Sequence, residues 1–109
     1  MILRIWRAGF DPARMEEYRR FEVERCLPML RKQPGFLGVL FLREAGGRAV
    51  SVTVWEDRGS VEALGSSPSY RKTTHELAES GLLGGEQSEV FEVGGGDLRP
   101  EALLGALGP

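Results

Sequence analysis

A chain of 109 residues and 12.0 kDa has room for one compact core that buries roughly 65% of the surface its unfolded form exposes, which excludes a second domain. Hydrophobic residues at 41% and charged residues at 28% are ordinary globular values and exclude disorder, collagen-like sequence and coiled coil, while no apolar run approaches the ~20 residues of a membrane span. Fourteen basic against sixteen acidic side chains give a net charge of -2 with no long run of either sign, which leaves no electrostatic footprint for nucleic acid.

Cys26 is the single cysteine and His75 the single histidine, so neither an internal disulfide nor a zinc site of soft ligands is expected. Residues 1–8 are interrupted by Arg4 and Arg7 and do not read as a signal peptide, so the cytoplasm is the expected location. Arginine outnumbers lysine twelve to two and asparagine is absent, a bias that speaks to habitat rather than activity.

Residues 2–8 are short and rich in strand formers, and Gly9 with Asp11-Pro12 closes them with turn chemistry. Asp11 can cap a helix that opens on Pro12, because a carboxylate accepts orphan amide bonds and proline has no amide to waste there. Residues 12–32 then follow a helical period that places Met15, Tyr18, Cys26, Met29 and Leu30 on one face, with a kink expected at Pro28. Gln33-Pro34-Gly35 ends the helix.

Residues 36–43 and 48–56 are two strand-like runs joined by a glycine-containing connection suited to an antiparallel hairpin. Both runs are apolar on both faces, unlike a sheet with one wet side. Asp57 is placed to cap a helix over 60–64, and Ser67 to recap after the break, with Pro68 in first position. The second segment, to residue 80, puts Tyr70, Thr74, Leu77 and Ala78 on one face. Gly81, Gly84 and Gly85 loosen the exit before a last strand over 87–93. Residues 94–109 form a glycine-rich joint and a short tail, where Leu98, Leu103, Leu104 and Leu107 suit an amphipathic turn or two.

The βαββαβ order over 1–93 predicts an α+β, ferredoxin-like domain with a four-stranded antiparallel sheet and both helices on one face. The other face is apolar, and a homodimer that packs sheet against sheet is the economical way to cover it. A ligand cavity then lies between sheet and helices of each protomer.

Arg4-Ile5-Trp6-Arg7 in the opening strand, Leu27-Pro28-Met29-Leu30-Arg31 followed by Gln33-Pro34-Gly35-Phe36, and Val54-Trp55-Glu56-Asp57 before the second helix carry a family resemblance. In this order and spacing the chain resembles the antibiotic biosynthesis monooxygenase-like domains, which are dimeric ferredoxin-like α+β barrels. The resemblance covers most of 1–93 and leaves out the tail. It implies either oxygenation of phenols or quinols without metal, flavin or other cofactor, or haem degradation. In the cofactor-free chemistry the protein holds an electron-rich, deprotonated substrate in a dry pocket and stabilises its charge.

Trp55 matches the family's tryptophan at the end of the third strand. It either presents its indole to the cavity as a catalytic surface or is a core aromatic whose N–H a neighbour satisfies. Thr53 shares its strand face. Arg4 points to the same side as Ile2 and Trp6, which lets Arg4 hold an anionic substrate and Trp6 line the ligand site, unless that side is an edge. Glu22 falls in the middle of an apolar helix face, so it needs a partner, Arg4 or Arg19, or has its proton affinity raised and serves as a base. Tyr70 and Thr74 offer hydroxyls from the second helix. Haem-degrading relatives carry a ligand histidine on that helix and an asparagine in the first strand; here His75 falls toward a flank and asparagine is missing. Cys26 reads as a small buried hydrophobe.

The expected activity is cofactor-independent oxygenation of a small aromatic or quinol, with Trp55, Glu22 and Arg4 as catalytic residues and Thr53, Tyr70, Thr74 and Trp6 as ligand contacts. The competing readings are a non-catalytic small-molecule-binding or stress-response dimer and, third, haem turnover.

Overall fold

A computed structural model describes residues 1–108; Pro109, the last residue of the predicted tail, lies outside the described residues. The strands β1 (Ile2–Phe10), β2 (Phe36–Glu44), β3 (Arg48–Trp55) and β4 (Leu83–Glu92) form one antiparallel sheet in the order β2-β3-β1-β4. That order, with a helical segment after β1 and another after β3, is the ferredoxin-like α+β arrangement expected from the sequence. Gly9 continues β1 rather than ending it, paired with Arg48 on one side and Gly84 on the other.

The first helical segment is not one helix kinked at Pro28. A 3-10 turn over Pro12–Arg14, capped by the Asp11 side chain on the Ala13 N–H at 3.0 Å, leads into α1 (Met15–Phe21), then a π-helical turn over Glu22–Cys26 and α2 (Leu27–Arg31). Proline at 28 has no N–H to give the carbonyl four residues earlier and its ring crowds that carbonyl. The chain answers by widening the preceding turn, where the Leu27 N–H donates to the Glu22 carbonyl five residues back. The distortion therefore sits before the proline, between Glu22 and Leu27.

Asp57 and Ser67 cap as expected, accepting from the N–H of Ser60 at 2.8 Å and of Tyr70 at 3.4 Å at the starts of α3 (Arg58–Ser66) and α4 (Pro68–Glu79). The inner face of α4 is Tyr70, Thr73, Thr74 and Leu77, an i, i+3, i+4, i+7 set. Thr73 is buried and the predicted Ala78 is exposed. The last strand starts at Leu83, earlier than predicted, because Gly85 at φ 69 takes up a register shift against β1 between Arg7 and Gly9. At the hairpin between β2 and β3, Gly47 sits at φ 87 with its would-be Cβ 2.9 Å from the Phe10 carbonyl, so no other residue fits there without strain.

A second bulge, at Leu37, lets both Phe36 and Val39 face the helices although they stand an odd number of positions, three, apart. Successive rows across the helix-covered face then read Phe36–Trp55–Ile2, Val39–Thr53–Arg4, Phe41–Ser51–Trp6 and Arg43–Ala49–Ala8. Two apolar clusters lie at opposite ends of these rows. One holds Ile2, Met29, Leu30, Trp55 and Leu64, the other Phe10, Tyr18, Ala49, Leu77 and Leu82. The opposite sheet face carries Leu3, Ile5, Leu40, Leu42, Val50, Val52, Val54 and Phe91 with no helix over it.

In the tail, α5 (Pro100–Leu107) leaves Leu104 and Leu107 more than half exposed. No helix among the described residues is long and apolar enough to cross a membrane.

Candidate functional site

Between the two core clusters, at the second and third rows of the sheet, lies a cavity of about 60 Å³. Its floor is Arg4 and Trp6 from β1, Phe41 from β2, and Ser51 and Thr53 from β3. Tyr18, Cys26, Met29 and Leu30 wall it from the first helical segment, and Tyr70, Thr73, Thr74 and Leu77 from α4. On the scale where one water needs ~10–15 Å³, this is room for a handful of waters or a small ring, and the lining is chiefly apolar.

Five predicted residues meet there: Arg4, Trp6, Thr53, Tyr70 and Thr74. Arg4 Nη2 donates to the Tyr70 hydroxyl at 3.1 Å, and the guanidinium carbon lies 5.9 Å from the Tyr70 ring centre. A phenol that accepts from arginine keeps its own proton to donate, so the pair offers a ligand oxygen a positive charge and an O–H together. Thr74 has part of its hydrogen-bonding capacity turned inward, its Oγ1 donating to the Arg71 carbonyl at 3.0 Å.

Trp55 stands one row away from the cavity and does not line it. It is fully buried, packs edge-on against Phe36 with ring centres 5.6 Å apart, and gives its indole N–H to Thr53 Oγ1 at 2.8 Å. Its contact with the cavity is thus through Thr53, whose hydroxyl it orients.

Glu22 is also set back from the cavity. It is buried, and its partner is neither Arg4 nor Arg19 but Arg43, from the end of β2. Arg43 Nη1 donates to Glu22 Oε2 at 3.2 Å and Nη2 binds Oε1, a two-point pairing; Nε meets the Met15 sulfur at 3.2 Å and the guanidinium lies 5.0 Å from the Tyr18 ring centre. Burial raises the Glu22 carboxyl above its ordinary value, outweighing the lowering by Arg43. Burial, reinforced by the Glu22 charge, raises the Tyr18 phenol as well and pushes the Cys26 thiol up to about 12. The thiol is therefore a poor nucleophile.

Arg43, Tyr18 and Ser51 were not singled out as site residues in the sequence. Arg43 had one available signal: a carboxylate in mid-face of an apolar helix demands a cation, and Arg43 ends an apolar strand on the face that packs against that helix. Among the described residues, no three His, Cys, Asp or Glu side chains converge to hold a metal ion. His75 is largely exposed, pairs with Glu79 at 3.1 Å, and does not line the cavity.

Residues 1–76 match the sequence pattern of the family described as antibiotic biosynthesis monooxygenase. No curated protein is significantly similar to the chain in sequence. Among solved structures, a variant of SnoaB, a cofactor-independent oxygenase from Streptomyces nogalater, is 21% identical with a TM-score of 0.71, over 87% of this chain and 94% of that one. A monooxygenase from the gene ActVA-Orf6 of Streptomyces coelicolor, solved with the ligand nanaomycin D, is 20% identical with a TM-score of 0.76, over 90% and 91%. A protein from Deinococcus radiodurans described as an antibiotic biosynthesis monooxygenase is 14% identical with a TM-score of 0.74, over 91% and 98%. At these identities the structures speak to the fold.

Proposed function

Because the chain belongs to the antibiotic biosynthesis monooxygenase family, we propose that it is a cofactor-independent monooxygenase, acting as a homodimer on a small aromatic or quinol held in the cavity of each protomer. The observation that carries this reading is the Arg4–Tyr70 pair at 3.1 Å in a chamber whose lining is chiefly apolar. A phenol that ionises against that pair becomes an electron-rich phenolate, the form able to pass electrons to oxygen. Stabilising the anion with fixed donors in a water-poor site is worth more than the same contacts in water.

The substrate supplies every electron. For a phenol whose keto tautomer carries a ring CH2, the group and O2 become C=O and H2O, which balances without an external reductant. Arg4 is the anion holder, Tyr70 the second donor, Trp6 an aromatic wall, and Thr53 and Thr74 hydroxyl contacts. Trp55 acts as a positioning residue through Thr53, and Glu22 as the acceptor of the phenolic proton. The dimer follows from the uncovered face: an apolar surface spanning all four strands is too costly to leave in water, and a second copy, face to face, covers it.

Oxygen uptake with a panel of one- and two-ring quinols tests the reading. Uptake above autoxidation is expected, falling at least about tenfold in Arg4→Met, the scale of losing one anion-stabilising donor. Quinols that raise the melting temperature without any enzymic uptake would instead make the protein a binder of the same fold.

A further inference from the structure

Glu22 is set back from the chamber, so a proton leaving a bound phenol needs a carrier to reach it. Two cavity-lining side chains stand one turn to either side of Glu22 on the same helical segment: Tyr18 and Cys26. The phenol is the better carrier, since a hydroxyl is both a good donor and a good acceptor while a thiol is weak as either. Tyr18 is also held in place on every side. Phe10 stacks on its ring at 5.7 Å and 26°, Leu77 and Ala49 pack in the same cluster, and the Arg43 guanidinium covers the ring at 5.0 Å while binding Glu22 at two points.

We propose that Tyr18 is the residue that takes the proton from a phenolic ligand and hands its own to Glu22, and that Arg43 is the positioning residue that holds both. The proposal rests on the phenol-binding reading above. In the step, the O–H bond of the ligand breaks and one forms on Tyr18, while the Tyr18 O–H breaks and one forms on Glu22. Two protons shift, the net result is one proton carried from the ligand to Glu22, and no electrons move. The ligand is left as a phenolate facing Arg4 and Tyr70, so opposite ends of the cavity divide the work, one accepting the proton and the other holding the charge.

The charged and titratable groups facing this pair are Arg43 from β2 and, from its own helical segment, Cys26 and Arg19. The packing from β1, β3 and α4 is uncharged: Phe10, Ala49 and Leu77. Glu22 follows Tyr18 by four residues, and its N–H still donates to the Tyr18 carbonyl, so regular helical geometry puts the two side chains on one face.

The test uses 4-nitrophenol, whose phenolate absorbs apart from its neutral form, at a pH below its ionisation in water. Bound to the wild-type protein it is expected as phenolate. In Tyr18→Phe, with folding checked by melting temperature, the phenolate band is expected to appear at least about tenfold more slowly in stopped flow, and in Glu22→Gln, which lacks the acceptor, the bound probe is expected to remain neutral. Where a quinol is oxidised, Tyr18→Phe should lower kcat at least about tenfold with KM nearly unchanged, the signature of a lost transition-state contact. A Tyr18→Phe protein that forms the phenolate as fast as the wild type overturns the assignment, as does a wild-type protein that binds only the neutral probe or none. A phenolate band whose rate of appearance depends on Tyr18, without oxygen uptake on any quinol, would uphold the assignment and overturn the oxygenase reading alone.

Discussion

The two faces of the sheet draw on the same strands, and along β3 they alternate residue by residue: Ala49, Ser51, Thr53 and Trp55 toward the helices, Val50, Val52 and Val54 away from them. The helix-covered side holds the buried polar side chains Glu22, Gln33, Thr53 and Thr73, with Glu22 paired to Arg43 and Thr53 to the Trp55 indole; among the described residues no buried side-chain nitrogen or oxygen lacks a partner. The open face is largely aliphatic, with the Arg7–Glu89 pair and, at the hairpin end, the Glu44–Arg48 pair as its charged elements. The contrast teaches a division of labour. A face that encloses a cavity carries buried polar groups, each of which costs several kcal/mol unless paired. The aliphatic face carries no such cost.

The largest expected effect tests the covered face. Trp55→Ala should destabilise the protein by about 3–5 kcal/mol in denaturant unfolding, since it removes a fully buried aromatic and leaves Phe36 and Thr53 against a void. A cost below about 1 kcal/mol would mean that the row at this end of the sheet collapses to fill the space. Next in size is the open face. Val52 lies between Ile5 and Leu40 at its centre, and Val52→Glu should raise the dissociation constant of the dimer at least about 100-fold, or ~2.7 kcal/mol, with the far-ultraviolet spectrum unchanged. Sedimentation equilibrium reads this directly, and a wild-type protein that sediments as one subunit at micromolar concentration would remove the interface altogether.

The smallest effect sharpens the comparison by pH. Burial raises the Glu22 carboxyl, so the folded protein holds that proton more tightly than the unfolded chain does. The resulting stability is full below the ordinary value of 4.5 and is lost as pH rises through the raised one. Glu22→Gln has no such proton to lose. Its melting temperature should therefore gain on that of the wild type as pH climbs through this window, and a difference that stays flat would mean that Arg43 compensates the burial in full.

Much of the fold was legible because it depends on local rules. Strand alternation gave the faces of β1 and β3, and the Asp57 and Ser67 caps with their following Ser60 and Pro68 gave the starts of α3 and α4. Arg4, Trp6, Thr53, Tyr70 and Thr74 line the cavity as the sequence places them, because each lies on a face whose period is short. Trp55 was placed on the right face, yet alternation does not say how far along a strand a cavity ends. Arg43 and Tyr18 were not singled out, for two different reasons: Arg43 reaches Glu22 from a strand end distant in sequence, while Tyr18, one helical turn before Glu22, reads as an ordinary core position of an apolar helix face.

The sequence by itself determined the element order, the antiparallel four-stranded sheet and the apolar character of both its faces, because hydrophobic periodicity and capping act over a few residues. Only the tertiary structure decided that the core divides into two clusters with a cavity between them, that Glu22 pairs with Arg43, and that Trp55 stands behind Thr53. Those outcomes depend on bulges, a widened helical turn and side-chain volumes meeting across the layer, and such long-range packing leaves no periodic trace in the chain.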